Sequence, residues 1–484
     1  MIVLPDRAAL APAEQYALDL LVDLSRLVPA DDASADLVHL RIAEEQGSVD
    51  SIRELAAANW GITHGDSVVL VSRRTLGWIT DTVSGARERR SHARDRFGRV
   101  PAGENLLVSQ EMEREPVVSR AALALRQAVF AAAASRPVRL VVPWPEGRRW
   151  AVAFTHDLDV VALWPAFTLL RISELLGKRE GRRALRVARA AAASLAGSPV
   201  WNAVQALLTA ERRHDVTSTW FILCGTPTIR SVRAGDLTYH PESRATRRIL
   251  GAVAEAGHEI GLHGSFETMD MPARFAPQRE RLMALTGAKI RGVRQHFLRI
   301  EPGVSEFAMS AAGFTYDSTR GFADRNGFRS GVADVFPVWY DDAPRTDGFS
   351  EVPFCWMDRA LSKYRGTEDP AAWTADAIEL MKVCREVEGL WTGIWHPNLA
   401  APLGFPGAPD AYAGLMQAAV AEGAYVATLS RIVAWRLARR SVRIRAVSAD
   451  GRVEAYATDP AASELTLEDA SGARRERVDA GVLA

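Results

Sequence analysis

Residues 150–159 read Trp150-Ala151-Val152-Ala153-Phe154-Thr155-His156-Asp157-Leu158-Asp159. An apolar run of strand length ends in a cluster holding two carboxylates and a histidine. Short runs apolar on both faces belong to strands covered on both sides, as in parallel sheets. The pattern recurs along the chain. Glu259 to Leu262 leads into His263-Gly264-Ser265, and Leu390 to Trp395 leads into His396-Pro397. Shorter runs precede Arg294-Gln295-His296 and Asp317-Ser318-Thr319-Arg320-Gly321-Phe322. Polar groups placed repeatedly at the exits of buried parallel strands are what an α/β barrel presents at the carboxyl face of its sheet, where distant side chains converge on one cavity. The set holds an Asp-x-Asp pair, four histidines and two arginines. That is the inventory of a metal-assisted hydrolase.

Working outward, Trp150–Phe154, Ser218–Cys224, Glu259–Leu262, Gly292–Arg294, Thr315–Asp317, Glu351–Phe354, Leu390–Trp395 and Tyr425–Thr428 are the expected strands. The strand-then-helix alternation predicts a distorted (β/α) barrel of about seven strands over residues 146–438. A helical insertion is expected at 160–214, rich in Ala, Leu and Arg; Arg182, Arg183, Arg186 and Arg189 read as its solvated face. Residues 1–145 alternate helical and strand patterns and predict an N-terminal α/β domain, with a helix over Glu14–Val28 and a strand over Ser67–Ser72. Residues 143–147 (PWPEG) punctuate the boundary. Residues 439–484 change texture: alternating polar and apolar residues around Asp450-Gly451 predict a hairpin in a small β-rich appendage.

The chain has 484 residues, more than one core usually organises. Its 59 Lys and Arg balance 59 Asp and Glu, so no global charge draws it to nucleic acid or anionic lipid. The basic run 86–99 (ARERRSHARDRFGR) reads as a solvated loop or helix face rather than a nucleic-acid site. Cys224, Cys355 and Cys384 fit neither a disulfide framework nor a Cys-x-x-Cys metal site, which points to a reducing, cytoplasmic compartment. No apolar stretch reaches membrane-spanning length, and Pro5 and Asp6 interrupt any secretory apolar core.

In extended chain, residues i and i+2 face the same way, so Asp157 and Asp159 can look into one cavity, one to hold a divalent cation and the other to act as a base. The alternative is a capped turn with salt-bridged acids. His258 and His263 are five apart with Gly261 between them, which is wrong for a His-Glu-x-x-His helix, so His263 at the strand exit is the ligand candidate. Arg294 and His296 read either as a carboxylate anchor and a metal or substrate ligand, or as a surface arginine beside a buried histidine. His396 sits where a general acid is wanted. Asp317, Asp324, Arg329 and Asp358 complete the polar set, each with a turn or salt-bridge alternative. Trp164, Trp339, Trp356, Trp391 and Trp395 are candidates for stacking on sugar rings or for core packing. A Gly-x-Ser-x-Gly elbow and a phosphate-cradling glycine loop are both missing from the sequence.

In order, these clusters resemble the motifs of the polysaccharide deacetylases, carbohydrate esterase family 4 or the NodB-homology group. The resemblance covers roughly Trp150 to Ser430. It implies a distorted, often seven-stranded (β/α) barrel that removes acetyl groups from N- or O-acetylated sugars or polysaccharides with a bound divalent metal, zinc first, then cobalt, nickel or manganese. Asp157 falls on the family's catalytic base and Asp159 on its metal-binding aspartate. GHEIGLHGS (257–265) matches the stretch that carries the first metal histidine, placing His263 there. Arg294 falls near the arginine that steadies the base, and His396 on the acid histidine. His156, Asp317, Arg329, Asp358 and Trp395 are the expected substrate-binding residues. The wording THDLD, GLHGS, RQHFLR and WHPN is closest to a bacterial subgroup associated with surface-polysaccharide loci. One departure matters. The usual second metal histidine comes four residues after the first, where this chain has Glu267. Either Glu267 is an oxygen ligand, or His296 takes its place, or the barrel is a catalytically degenerate carbohydrate-binding or scaffolding protein.

Overall fold

A computed structural model of the chain describes all residues except 1, 32–36, 46–48, 135, 137, 162–163, 194–197, 227, 234–235, 237–238, 341–347, 368, 448–452, 460, 463–464, 470–471, 473–474 and 481–484. The N-terminal part builds a four-stranded sheet from β1 (Ile2–Val3), β2 (Val38–Ala43), β3 (Ile62–His64) and β4 (Val68–Ser72), in the order β1-β2-β4-β3. Only β3 runs antiparallel. The first helix is Pro12–Ser25, with proline at its start, the Glu14 side chain accepting from the Ala11 amide, and Arg26 ending it in the left-handed region. With the helices Arg73–Ser84 and Val117–Ala133 it buries Leu21, Ile79 and Leu125 in a core that also takes in Val332 and Phe336.

A short strand, β5 (Arg139–Val141), leads into the barrel. Its strands are β6 (Ala151–Leu158), β7 (Thr219–Leu223), β8 (Glu259–Gly264), β9 (Gly292–Gln295), β10 (Tyr316–Asp317), β11 (Phe336–Pro337), β12 (Ser350–Glu351), β13 (Trp356–Met357), β14 (Leu390–Ile394) and β15 (Tyr425–Val426). They lie in the order β11-β12-β10-β9-β8-β7-β6-β14-β13, with β15 also on β6. All are parallel except β11. The sheet curls without pairing its two ends among the described residues, so this is a distorted (β/α) barrel. Every residue of β6 is buried, as its apolar run predicts, and the strand continues through the polar cluster to Leu158. Helices Trp164–Gly177, Gly181–Ala193 and Pro199–Arg213 stand between β6 and β7. Arg182, Arg186 and Arg189 are exposed there, whereas Arg183 turns to the cleft described below. The three cysteines are buried and free. No helix among the described residues is long and apolar enough to cross a membrane.

The C-terminal strands β16 (Val442–Val447), β17 (Val453–Ala457), β18 (Thr466–Asp469), β19 (Arg475–Arg477) and β20 (Asp479–Ala480) split between two sheets. β16 and β17 are antiparallel, and the Asp450-Gly451 turn expected between them lies outside the described residues. β18 pairs with β5, so the tail is sewn to the segment that precedes the barrel.

Ion pairs reinforce the joint between the N-terminal helix and the helix Leu429–Arg440. Asp23 accepts from Arg440 Nε at 2.6 Å and Arg436 Nη2 at 3.1 Å, with Arg439 at 3.5 Å. Burial raises the Asp23 carboxyl, but the three guanidinium groups outweigh it and hold the group well below the usual carboxylate range. A depressed carboxyl contributes stability above its unfolded pKa and loses it as pH falls toward the folded value. Asp23→Asn is therefore expected to lower stability by about 3 kcal/mol at neutral pH, because it strands buried cations. The gap to wild type should narrow below about pH 3.9 in urea unfolding. A pH-independent gap would mean that packing, not charge, holds the joint.

Candidate active site

The exits of β6, β8, β9 and β14 meet at a cleft of about 500 Å³ whose lining includes Asp157, Asp159, His263, His296 and His396. Asp157 is the seventh residue of β6 and 3 % exposed. Its Oδ1 accepts from Arg294 Nη1 at 2.8 Å, leaving Oδ2 3.8 Å from His263 Nε2. Arg294, fully buried on β9, also donates from Nη1 to Thr155 Oγ1 and from Nε and Nη2 to the carbonyl and hydroxyl of Ser318, all at 2.8 Å. The face of Phe221 lies 4.3 Å from the guanidinium carbon. Such a clamped fork fixes one carboxylate oxygen and leaves the other free. Burial raises the Asp157 carboxyl, but Arg294, His263 and His396 prevail and keep its pKa below the ordinary value.

Asp159, His263 and His296 form a group of potential ligand atoms, one from each residue, that all lie within 4.8 Å of one another. Asp159 Oδ1 is 3.4 Å from His263 Nε2 and 3.5 Å from His296 Nε2. Both histidines are fixed from behind. His263 Nδ1 donates to the Arg294 carbonyl at 2.8 Å, and His296 Nδ1 bonds to Asp236 Oδ1. A carbonyl can only accept, so the His263 proton sits on Nδ1 and the Nε2 lone pair faces the cleft. Outer carboxylates and carbonyls of this kind orient metal-binding imidazoles. Asp236 is itself held, its Oδ2 accepting from the Phe266 amide at 2.9 Å. One carboxylate and two backed imidazoles are a ligand set that suits zinc and other divalent ions. Burial lowers the His263 pKa, yet Asp157 and Asp159 raise it further, so the net shift is upward. That excess of negative charge is what a cation at the same place would satisfy.

His396 follows β14. Asp358 grips it twice, Oδ1 on the ring Nδ1 at 2.6 Å and Oδ2 on the backbone amide at 2.6 Å, so Nε2 faces Asp159 Oδ2 at 3.6 Å. Burial lowers the His396 pKa, but Asp358 and then Asp159 raise it above the usual value. An imidazole that holds its proton more tightly than usual thus lines the same cleft as the carboxylate that Arg294 holds, at the exit of the neighbouring strand.

Glu267 lies apart from the ligand group. Its Oε1 accepts from Thr228 Oγ1 at 2.7 Å and its Oε2 pairs with Arg274, so both oxygens are taken. His156 faces away from the cleft, because its neighbour Asp157 faces in. It bonds to the Trp395 carbonyl, Glu211 and Tyr412 at 2.9–3.1 Å. His258 accepts from the Ser218 amide at 3.0 Å. Asp317 is buried beside its strand partner Glu351 and accepts from Thr319. Burial raises the Asp317 carboxyl above the usual carboxylate range, and the residue lies outside the cleft lining. Asp324 pairs with Arg325. Arg329 donates to Glu88 and the Gly321 carbonyl, tying the barrel to the helix Ala86–Arg90 of the N-terminal part. Trp356, Trp391 and Trp395 pack against one another in the barrel core, and Trp339 stacks on Tyr16. The Trp164 side chain lies outside the described residues.

Cleft aromatics instead come from Phe297, Tyr364 and Phe405. The basic run expected to be solvated also contributes here. Phe97 stacks on Phe297 at 4.7 Å, and Arg99 lines the cleft while donating to the Phe297 carbonyl at 2.9 Å. Gly264, after His263, allows close packing, since a Cβ there would come within 2.1 Å of Gln295 Oε1.

No protein-family model matches the chain, and no curated protein matches it. Among solved structures, it is similar to a candidate polysaccharide deacetylase from Mycobacterium smegmatis, with 21 % identity and a TM-score of 0.42 over 63 % of this chain and 96 % of that one. It is also similar to a family 4 carbohydrate esterase from Streptomyces lividans, with 11 % identity and a TM-score of 0.29 over 58 % and 92 % of the two chains. A mutant of BA3943, a CE4 family pseudoenzyme, gives 12 % identity and a TM-score of 0.30 over 58 % and 67 %. The solved chains to which this one is similar thus include polysaccharide deacetylases and carbohydrate esterases of family 4, the group whose motifs its sequence resembles.

Proposed function

We propose that the protein is a metal-dependent hydrolase that removes acetyl groups from an N-acetylated or O-acetylated sugar or polysaccharide. The observation that carries this reading is the convergence of three functions in one cleft. Asp159, His263 and His296 offer a divalent-metal ligand set. The Asp157 carboxylate beside them is held by Arg294. His396 lines the same cleft from the neighbouring strand exit, held by Asp358.

A divalent ion held by Asp159, His263 and His296 would supply Lewis acidity toward an acyl carbonyl and make water more acidic. Asp157 accepts the proton of the attacking water at Oδ2, since Arg294 occupies Oδ1. Arg294 keeps the carboxylate ionised and aimed. His396 carries its transferable proton on Nε2, because Nδ1–H is committed to Asp358, and gives it to the departing amine or alkoxide. An amine leaves poorly without that proton. Acetate release from a panel of N-acetylated amino sugars and acetylated oligosaccharides, with and without a chelator, tests the reading. Release that stops on chelation and returns with zinc, cobalt, nickel or manganese is expected. No release from any of them with metal restored would sink it and leave a carbohydrate-binding protein on the same barrel.

The Asp358–His396 pair gives a pH signature. Asp358 raises the His396 pKa, so the acid stays protonated to higher pH. Asp358→Asn removes that charge. The alkaline limb of kcat should then move to lower pH, and amide substrates should suffer more than activated esters, whose leaving groups need no proton. An unmoved alkaline limb would mean that another group provides the acid.

A further inference from the structure

The cleft carries cations that its own acids do not neutralise. Four of its basic residues have carboxylate partners: Arg99 with Asp95 at 2.7 Å, Arg171 with Glu174 at 2.7 Å, Lys178 with Glu174 at 2.8 Å, and Arg183 with Glu180 at 2.5 Å. Arg359 and Lys363 differ. Neither has a carboxylate within ion-pairing distance among the described residues. Arg359 directs one donor, Nη2, to Asn398 Oδ1 at 3.0 Å and lies over Phe405 at 5.4 Å. A guanidinium has five N–H donors, so most of its fork remains for a ligand. Lys363 stands on a π-helical turn, Ala360–Tyr364, with its ammonium 5.7 Å from the Tyr364 ring centroid. Such turns cluster at functional sites. Burial against the cleft wall lowers the Lys363 pKa, and the charges of Arg359 and Arg96 lower it further. Asp159 is the one acid that offsets this in part, and two cations on one cleft wall without an ion-pair partner form a site that an anion would relieve.

Their position says which part of a substrate they reach. Arg359 follows Asp358, the residue that holds His396, and Asn398 lies two residues beyond His396. Arg359 therefore sits at the acid's side of the cleft, and Lys363, four residues on, lines the same cleft with its ammonium 5.8 Å from the Phe97 ring centroid. On the hydrolase reading above, that side receives the sugar after its acetyl group leaves. We propose that the substrate is an anionic amino sugar, in which the acetylated ring or the unit joined to it carries a carboxylate or phosphate bound by Arg359 and Lys363. The placement of the sugar rests on the deacetylase reading, but the anion subsite is measurable without turnover. Fork-shaped recognition by a guanidinium, backed by a lysine point charge, suits both anions.

Calorimetric titration of the metal-loaded full chain would use N-acetylglucosamine, N-acetylglucosamine 1-phosphate and 2-acetamido-2-deoxyglucuronic acid. At least one anionic sugar should bind about tenfold or more tighter than the neutral one, as charged hydrogen bonds typically allow. Preference for the phosphate alone identifies a phosphorylated substrate, and preference for the carboxylate alone a uronic acid. Arg359→Gln combined with Lys363→Met should abolish the preference, while Lys363→Arg should retain it. Equal or undetectable binding of both anionic sugars would overturn the proposal. So would a preference that survives the double variant. Acetate release is read separately on the same sugars: anion preference without acetate would sink the deacetylase reading and leave the subsite standing.

Discussion

Asp157→Asn is expected to keep its bound metal and lose about 10²–10⁴-fold in acetate release, the usual loss when a general base is removed. The two effects separate because of where the side chain sits. Asp157 is outside the Asp159–His263–His296 group, so its loss removes no ligand from that group. Its Oδ1 is bound by Arg294 and its Oδ2 faces His263, which leaves one oxygen to take a proton. An amide of the same shape can still accept from Arg294, so the clamp survives, but it has no basic oxygen for the water's proton. Arg294 is fully buried and would lose its counter-charge, so thermal unfolding should accompany the kinetics. A folded variant with normal metal content and wild-type turnover would overturn the mechanism. A variant that loses metal and activity together would move Asp157 into the ligand set.

How much of this was legible depends on the kind of residue. Apolar runs of strand length, too short for a helix, point to parallel strands buried on both faces, and Ala151–Leu158 is buried throughout. The strand exits then locate Asp157, His263, Arg294 and His396, since barrel side chains at that edge share one face. His156, expected to bind substrate, is a misreading that strand alternation could have corrected. Neighbouring strand residues face opposite ways, so a histidine beside an inward Asp157 must point out, where it meets Glu211. The strands Phe336–Pro337 and Trp356–Met357 were not legible, because two residues show no periodicity. Asp236 and Lys363 left no local signal. Each acts through a partner far off in sequence, and only the closed fold brings Asp236 to His296 or Lys363 to the cleft. Tryptophan content could not choose between sugar stacking and core packing for the same reason. The indoles fill the barrel core, while the cleft takes its aromatic rings from Phe297, Tyr364 and Phe405.

The third ligand is where the largest loss of metal should separate two rival residues. Asp159→Asn and His296→Ala are each expected to weaken metal binding by more than about 100-fold, because even outer-shell changes typically cost about 10–100-fold. Asp159 contributes the group's one negative charge, and its Oδ1 lies within 3.5 Å of both imidazoles, so a neutral amide removes charge and ligand together. His296 is held for this task by Asp236, and Asp236→Asn should cost roughly the 10–100-fold of an outer-shell residue. Glu267→Gln is expected to leave metal affinity unchanged. Both Glu267 oxygens are engaged, one by Thr228 and one by Arg274, and recruiting the carboxylate as a ligand would leave those donors without their partner. Competition of each variant against a chromogenic chelator reads all four constants on one scale. If Glu267→Gln released the ion while His296→Ala retained it, the loop after His263 would have to rearrange on metal binding, and the ligand set would be Asp159, His263 and Glu267.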